Sequence, residues 1–274
     1  MHFIIRVLKS WPRMMAAHDL AVLPPMIHNV QLEHGMPTPL ANCSTLARMW
    51  AEHVEGSSQL VRCSVVQEVQ RLFQEVWKNQ HEFWRWYRLT VALEQHALYS
   101  DENLLGATQS MLILMVILLF GSRTRPSTST AESAQMLISM WQVKHRLAGT
   151  GLFLESETNH GMPIWKEWAI VSAKRRTILA LHQLEWAWSV LHGYPELLCI
   201  ELGPLPAPAE KRLWQECQEA EWERLYEGWL IRWKDGFFAM AEFFPIRTGA
   251  ELDSRAERWL SEADEFGMML MAEG

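Results

Sequence analysis

A run of alternating prolines, Gly203-Pro204-Leu205-Pro206-Ala207-Pro208, cuts the most tryptophan-rich part of this chain in two. Proline lacks the N–H that a helix needs, fixes its own φ and pushes its predecessor out of the α region, so the run is not helical. The flanking stretches read as helix. Eight of the fifteen tryptophans lie between 164 and 233: Trp165, Trp168, Trp186, Trp188, Trp214, Trp222, Trp229 and Trp233. Two long helices joined by a rigid elbow are therefore expected. The stretch carries no metal-ligand spacing, phosphate loop or nucleophile motif.

At 274 residues and 49% hydrophobic content the chain is long enough to bury a full core. A formal charge of −7 makes the average surface repel a phosphate backbone, which argues against unaided DNA binding. Cys43, Cys63, Cys199 and Cys217 are far apart and form no C-x-x-C pair. They read as reduced, buried small hydrophobes rather than as a disulfide frame or a metal site. Neither a metal nor a cofactor is expected. The opening apolar residues Phe3-Ile4-Ile5 are interrupted by Arg6 and Lys9, unlike a secretory signal. The apolar run 111–120 is about half the length that a bilayer requires and reads as a buried core helix.

Along the chain, 1–40 reads as a short helix with Phe3, Val7, Met14 and Met15 on its buried face, then an irregular arm held extended by Pro24, Pro25, Pro37 and Pro39. His28 and His34 lie in this arm as loop histidines. From 41 to 274 the pattern is helical. Asn42 or Ser44 is expected to cap a helix carrying Leu46, Met49, Trp50 and His53, and Val65, Val69, Leu72, Phe73 and Val76 recur at helical spacing in the next. The 78–94 run interleaves Trp84, Trp86 and Tyr87 with Arg85 and Arg88, which can mark a single-stranded nucleic-acid surface. Its acidic neighbours and helical spacing favour amphipathic packing. Ser100 is a candidate cap for a helix that is apolar nearly all round and should be central. A small polar loop at 121–130 precedes a helix over 131–147 with Met136, Leu137, Met140 and Trp141 on its apolar side. Pro163 suits the first turn of the long helix after it. Further helices are expected over 209–233 and 250–266. The fold class is all-α: an irregular multi-helix domain with an N-terminal arm and a Pro-rich elbow.

The helix around 165–191 carries the candidate site. Trp168, Val171, Arg175, Ile178, His182, Glu185 and Ser189 share one stripe by the three-and-four rule. A charge on a buried stripe needs a partner. Arg175, His182 and Glu185 thus form a structural polar network, contact a ligand together with Trp168, or act as acid and base.

Three segments, in order, resemble the fungal-specific transcription factor domain, the all-helical regulatory region that follows the zinc binuclear cluster in many fungal activators. They are 10–50, with LPPMIHN and PLANCSTLARMW; 103–120, NLLGATQSMLILMVILLF; and 165–188, WKEWAIVSAKRRTILALHQLEWAW, followed by LPAP and LW. The similarity covers about 10–233 and rests on order and spacing. It implies a nuclear regulatory protein, in a family that often governs secondary-metabolite gene clusters. Two departures stand out. The six closely spaced cysteines and basic linker of the family's DNA-contacting module are not in this sequence, so the resemblance implies regulation through a protein partner with a DNA-binding module, or through a small apolar effector, without DNA or membrane binding by this chain. Ala173 also stands where the family block has Glu before the arginine pair, which removes a usual partner of Arg175 or Arg176. The competing expectation is an enzyme or binding protein of secondary metabolism, cyclase-like, that reuses the helical pocket through Arg175, His182 and Glu185.

Overall fold

The computed structural model describes residues 1–17, 19, 22–87, 101–121, 130–195, 200–247 and 249–272. The side chains of the 78–94 run, the Ser100 cap, the loop at 122–129 and Cys199 lie outside the described residues. Among those described the protein is all-α, with α1 (His2–Ala17), α2 (Thr38–Glu52), α3 (Ser58–Tyr87), α4 (Asp101–Phe120), α5 (Thr130–Ala148), α6 (Glu155–Thr158), α7 (Trp165–His192), α8 (Lys211–Gln215), α9 (Glu219–Arg232), α10 (Ser254–Glu262) and α11 (Glu265–Met271). The chain divides into two compact units. One comprises Met1–Leu8, Pro25–His34 and Gly151–Gly274, the other Lys9–Pro24 and Gly35–Thr150.

The second unit is built on α4, which packs against α2, α3 and α5. Its apolar stretch is longer than the sequence reading allowed. Residues Asn103–Phe120 are long and apolar enough to cross a membrane, yet 89% of that window is buried, as befits a core helix. Val65, Val69, Leu72 and Val76 of α3 are buried as their spacing predicts, with Val61 one turn earlier.

Other faces turned out differently. In α1 the buried stripe is Ile4, Leu8, Trp11 and Met15, while Phe3 is exposed, because the largest ring at an i, i+4, i+7 spacing is Trp11. Pro37 keeps the extended backbone expected of it, with φ −52° and ψ 142°, but Pro39 does not extend the chain. Pro37 is the N-cap of α2 and Pro39 lies in its first turn, where a missing N–H costs nothing. The helix therefore starts before Asn42 and buries Leu40, Cys43, Ser44 and Ala47 instead of Met49. In α5 Met140 is buried but Trp141 is exposed, with Val143 and Leu147 completing the inner face. Cys43 is buried, whereas Cys63 and Cys217 are exposed, contrary to the expectation of buried thiols.

In the first unit α7 runs for 28 residues. Pro163 stands just before its N-cap, Ile164, rather than inside the first turn. It ends in a Schellman turn at Gly193, whose φ of 70° favours glycine. Tyr194 N–H donates to the Ser189 carbonyl and Gly193 N–H to that of Val190. The elbow after it turns at Gly203 and Pro204, where Leu205 N–H donates to the Leu202 carbonyl, and then forms one antiparallel bridge between Pro206 and Ala239, with Ala207 N–H donating to the Phe238 carbonyl and Met240 N–H to that of Leu205; Ala241 N–H donates to the Gly203 carbonyl. Residues 203, 205 and 207 make these bonds, so Pro204, Pro206 and Pro208 fall at the alternate positions that need no inward donor.

The helix expected over 209–233 is two helices. Glu216 Oε1 accepts from the N–H groups of Cys217 and Gln218, holding a break between α8 and α9. The terminal helix is likewise split, at Asp264, whose Oδ1 accepts from Gly267 N–H and caps α11. A side chain at Gly267 would meet the Trp259 ring at 3.0 Å, so the bare backbone lets α11 approach it.

Candidate functional site

The site lies wholly in the first unit. The ring of His28 meets those of Trp165, Trp168 and Trp214 edge-on, with centroids 6.5, 6.5 and 4.7 Å away. His28 also caps a 3-10 turn, its Nδ1 accepting from Val30 N–H while the Gln31 side chain accepts from His28 N–H. Because Nδ1 accepts, the ring is the neutral tautomer with its proton on Nε2. Burial, and then the charge of Arg176, hold the imidazole down to a pKa of about 4, with the Trp214 carbonyl and Glu33 pulling the other way.

Arg176 is buried and stacks over Trp214, 4.1 Å from the ring centroid. Its Nη1 donates to Asp264 Oδ2 at 2.6 Å and to the Pro25 carbonyl at 3.3 Å. Burial lowers its pKa while Asp264 opposes that effect. Arg175, one position earlier, donates from Nη2 to both oxygens of Glu157 at 3.0 Å and to Ser172 Oγ at 3.1 Å. Both arginines therefore have carboxylate partners although Ala173 supplies none. Glu157 comes from the short helix α6, and Asp264 is the cap of α11.

A half-open cleft runs along this part of α7. It is bounded by the elbow, by Tyr226, Trp229 and Trp233 at the aromatic face of α9, and by Trp259 from α10. It encloses about 650 Å3 counting space open to solvent. Trp168 tilts against Trp222 at 5.0 Å and Tyr226 against Trp229 at 5.1 Å, so the wall is a continuous aromatic surface. On the far side Arg232 holds Glu210 and Glu262, and Trp233 Nε1 donates to Glu262 at 2.9 Å. Burial raises the pKa of Glu210, and Arg232 offsets part of that.

Of the residues singled out by sequence, Trp168 and Arg175 line this cleft. His182 and Glu185 are also buried on α7, but Arg175 and His182 are about two turns apart, and neither His182 nor Glu185 belongs to the cleft lining. The shared stripe is present, yet Arg175, His182 and Glu185 do not converge on one cavity. Spacing alone missed Glu157, Arg176, Tyr226 and Asp264. Arg176 had the one available signal, a second charge on a helix otherwise expected to be buried. Among the described residues, no three His, Cys, Asp or Glu side chains cluster as a metal site.

These features define an all-α protein with a tryptophan-walled, arginine-based cleft. Comparison with known proteins returns no matching family model, no matching curated protein and no matching solved structure.

Proposed function

We propose that the chain is a transcriptional regulator of the fungal-specific type, a regulatory domain that works through a DNA-binding partner or a small effector, in the nucleus and in the setting of secondary metabolism. One observation supports this reading above the others. Residues from separate blocks of the resemblance meet in space. Pro25 and His28 come from the LPPMIHN block, Trp165, Trp168 and Arg176 from the RRT block, and Trp214 from the LW that follows the elbow. Loose hydrophobic motifs would be expected to keep their order and spacing if their residues build one packed centre, as these do. The negative formal charge of −7 fits recruitment by a partner better than direct contact with DNA.

The test is to tether the full chain to a heterologous DNA-binding domain upstream of a reporter in a fungal host. Transcription is expected to change severalfold, and variants at Arg176 or His28 are expected to abolish the change. A tethered chain that accumulates intact and leaves the reporter at its background level would overturn the proposal.

A further inference from the structure

The outer face of α1 carries a row of exposed cations. His2, Arg6, Lys9 and Arg13 recur at helical spacing on the side opposite the buried Ile4, Leu8, Trp11 and Met15. Among the described residues, Arg6, Lys9 and Arg13 make no ion pair, although the chain has a formal charge of −7. Phe3 stands at the end of the row and is 54% exposed.

A row of the opposite sign lies on α9. Glu219, Glu223, Glu227 and Ile231 follow one another at four-residue steps and are all exposed, Ile231 at 78% being the most exposed large apolar side chain among the described residues. Arg224, the cation within this span, is held by Glu221, whereas Glu223 and Glu227 have no ion pair among the described residues. The two rows also agree in length. Phe3 to Arg13 covers about 15 Å of helix and Ile231 to Glu219 about 18 Å. With the helices antiparallel and Phe3 on Ile231, Arg6 comes level with Glu227, Lys9 falls between Glu227 and Glu223, and Arg13 between Glu223 and Glu219. A parallel pairing sets Phe3 against Glu219 and Arg13 against Ile231, so one direction alone satisfies both rows.

We infer that the α1 face docks a second copy of this chain, which presents its α9 face antiparallel to it. An anionic membrane or a nucleic acid would take the basic row but leave the acidic one without a role, and the negative formal charge of the whole chain opposes both. Exposed ion pairs are individually weak and two short helix faces bury little area. The association is therefore transient, oriented by charge and sensitive to salt. The pairing stands whether or not the chain regulates transcription.

The experiment is sedimentation velocity of the purified full-length chain from about 1 μM to about 1 mM. It is run at about 0.1 M and about 1 M salt, between which the screening length falls from about 10 Å to about 3 Å. The average mass is expected to rise with concentration at low salt, and the association to weaken about tenfold or more at high salt. Arg6→Glu with Lys9→Glu reverses one row, and Glu223→Lys with Glu227→Lys reverses the other. Each of these variants alone sets like charges against like and is expected to stay monomeric, while an equimolar mixture of the two is expected to associate again. Both variants remain negatively charged overall, so net charge does not draw them together. All four positions are exposed, so the thermal midpoint should be kept. Phe3→Ser is expected to weaken association severalfold. Three results would overturn the proposal: a monomer at every concentration in low salt; undiminished association in either reversed variant; or a mixture that does not recover, which would mean that the two faces do not meet. A monomer that binds vesicles of phosphatidylserine and phosphatidylcholine through Arg6 and Lys9 would also overturn it, and would assign the basic row to a membrane surface.

Discussion

The two buried helices α4 and α7 solve the same problem in opposite ways. In α4 two of the buried hydroxyls serve themselves. Thr108 Oγ1 donates to the Leu104 carbonyl at 2.8 Å and Ser110 Oγ to that of Gly106 at 2.7 Å, both within the helix, so these hydroxyls ask nothing of the helices packed around them. In α7 the arginines reach outward, to Glu157 and Asp264, 18 and 88 residues away in sequence. A helix that closes its own hydrogen bonds can pack against any apolar surface of suitable shape. One that buries guanidinium groups is bound to particular partners, and its unit is built around them. Buried ion pairs of this kind favour specificity more than stability, and a carboxylate that loses its partner is the weak point.

The comparison can be broken most sharply by the same new residue in both helices. Arg176→Met keeps an unbranched side chain in α7 but strands Asp264, and is expected to cost about 3–5 kcal/mol in denaturant unfolding. The stack on Trp214 would be lost as well.

A second effect follows from pH. The folded-state pKa of His28 is about 4 and that of an unfolded histidine is 6.5, so between these values the unfolded chain holds a proton that the folded one does not. Stability should therefore fall as pH drops from about 6.5 towards 4, by about 3 kcal/mol from this group. Unfolding curves at pH 7 and pH 4 measure the fall, and His28→Asn, which can still accept from Val30 N–H, should remove most of this component.

In α4, by contrast, Leu112→Met should cost less than about 1.5 kcal/mol, because no partner depends on the residue it replaces. A loss as large as that of Arg176→Met would mean that the apolar unit is just as particular about its contacts. The smallest effect is expected at Tyr226→Phe. Its hydroxyl is buried without a partner, so its removal should leave stability unchanged or raise it by up to about 1 kcal/mol in the ligand-free protein.

The contrast also explains what could be read from sequence. The apolar character of α4 follows from its composition, and the inner face of α3 from periodicity, because local spacing determines which side chains share a face. So does the polar stripe of α7. The choice of face in α1, α2 and α5 was not legible, since several apolar residues compete there and tertiary packing decides among them. Nor were the breaks at Glu216 and Asp264, where one carboxylate captures backbone N–H groups within an otherwise helical pattern. The site was half legible for the same reason. Arg175 and Trp168 stood out on one helix, but Glu157, Tyr226 and Asp264 enter through chain reversals that no local spacing records. The missing Glu at Ala173 suggested a lost partner, whereas the chain supplies two carboxylates from elsewhere.

The most direct test of this account is a double-mutant cycle on the buried pair, with Arg176→Met, Asp264→Leu and the two combined, read by denaturant unfolding of the full chain. The account predicts that each single change costs about 3–5 kcal/mol and that the double variant recovers most of that loss, because the penalty belongs to a stranded charge. Losses that simply add in the double variant would contradict it, and would mean that Arg176 and Asp264 stabilise the unit independently of each other.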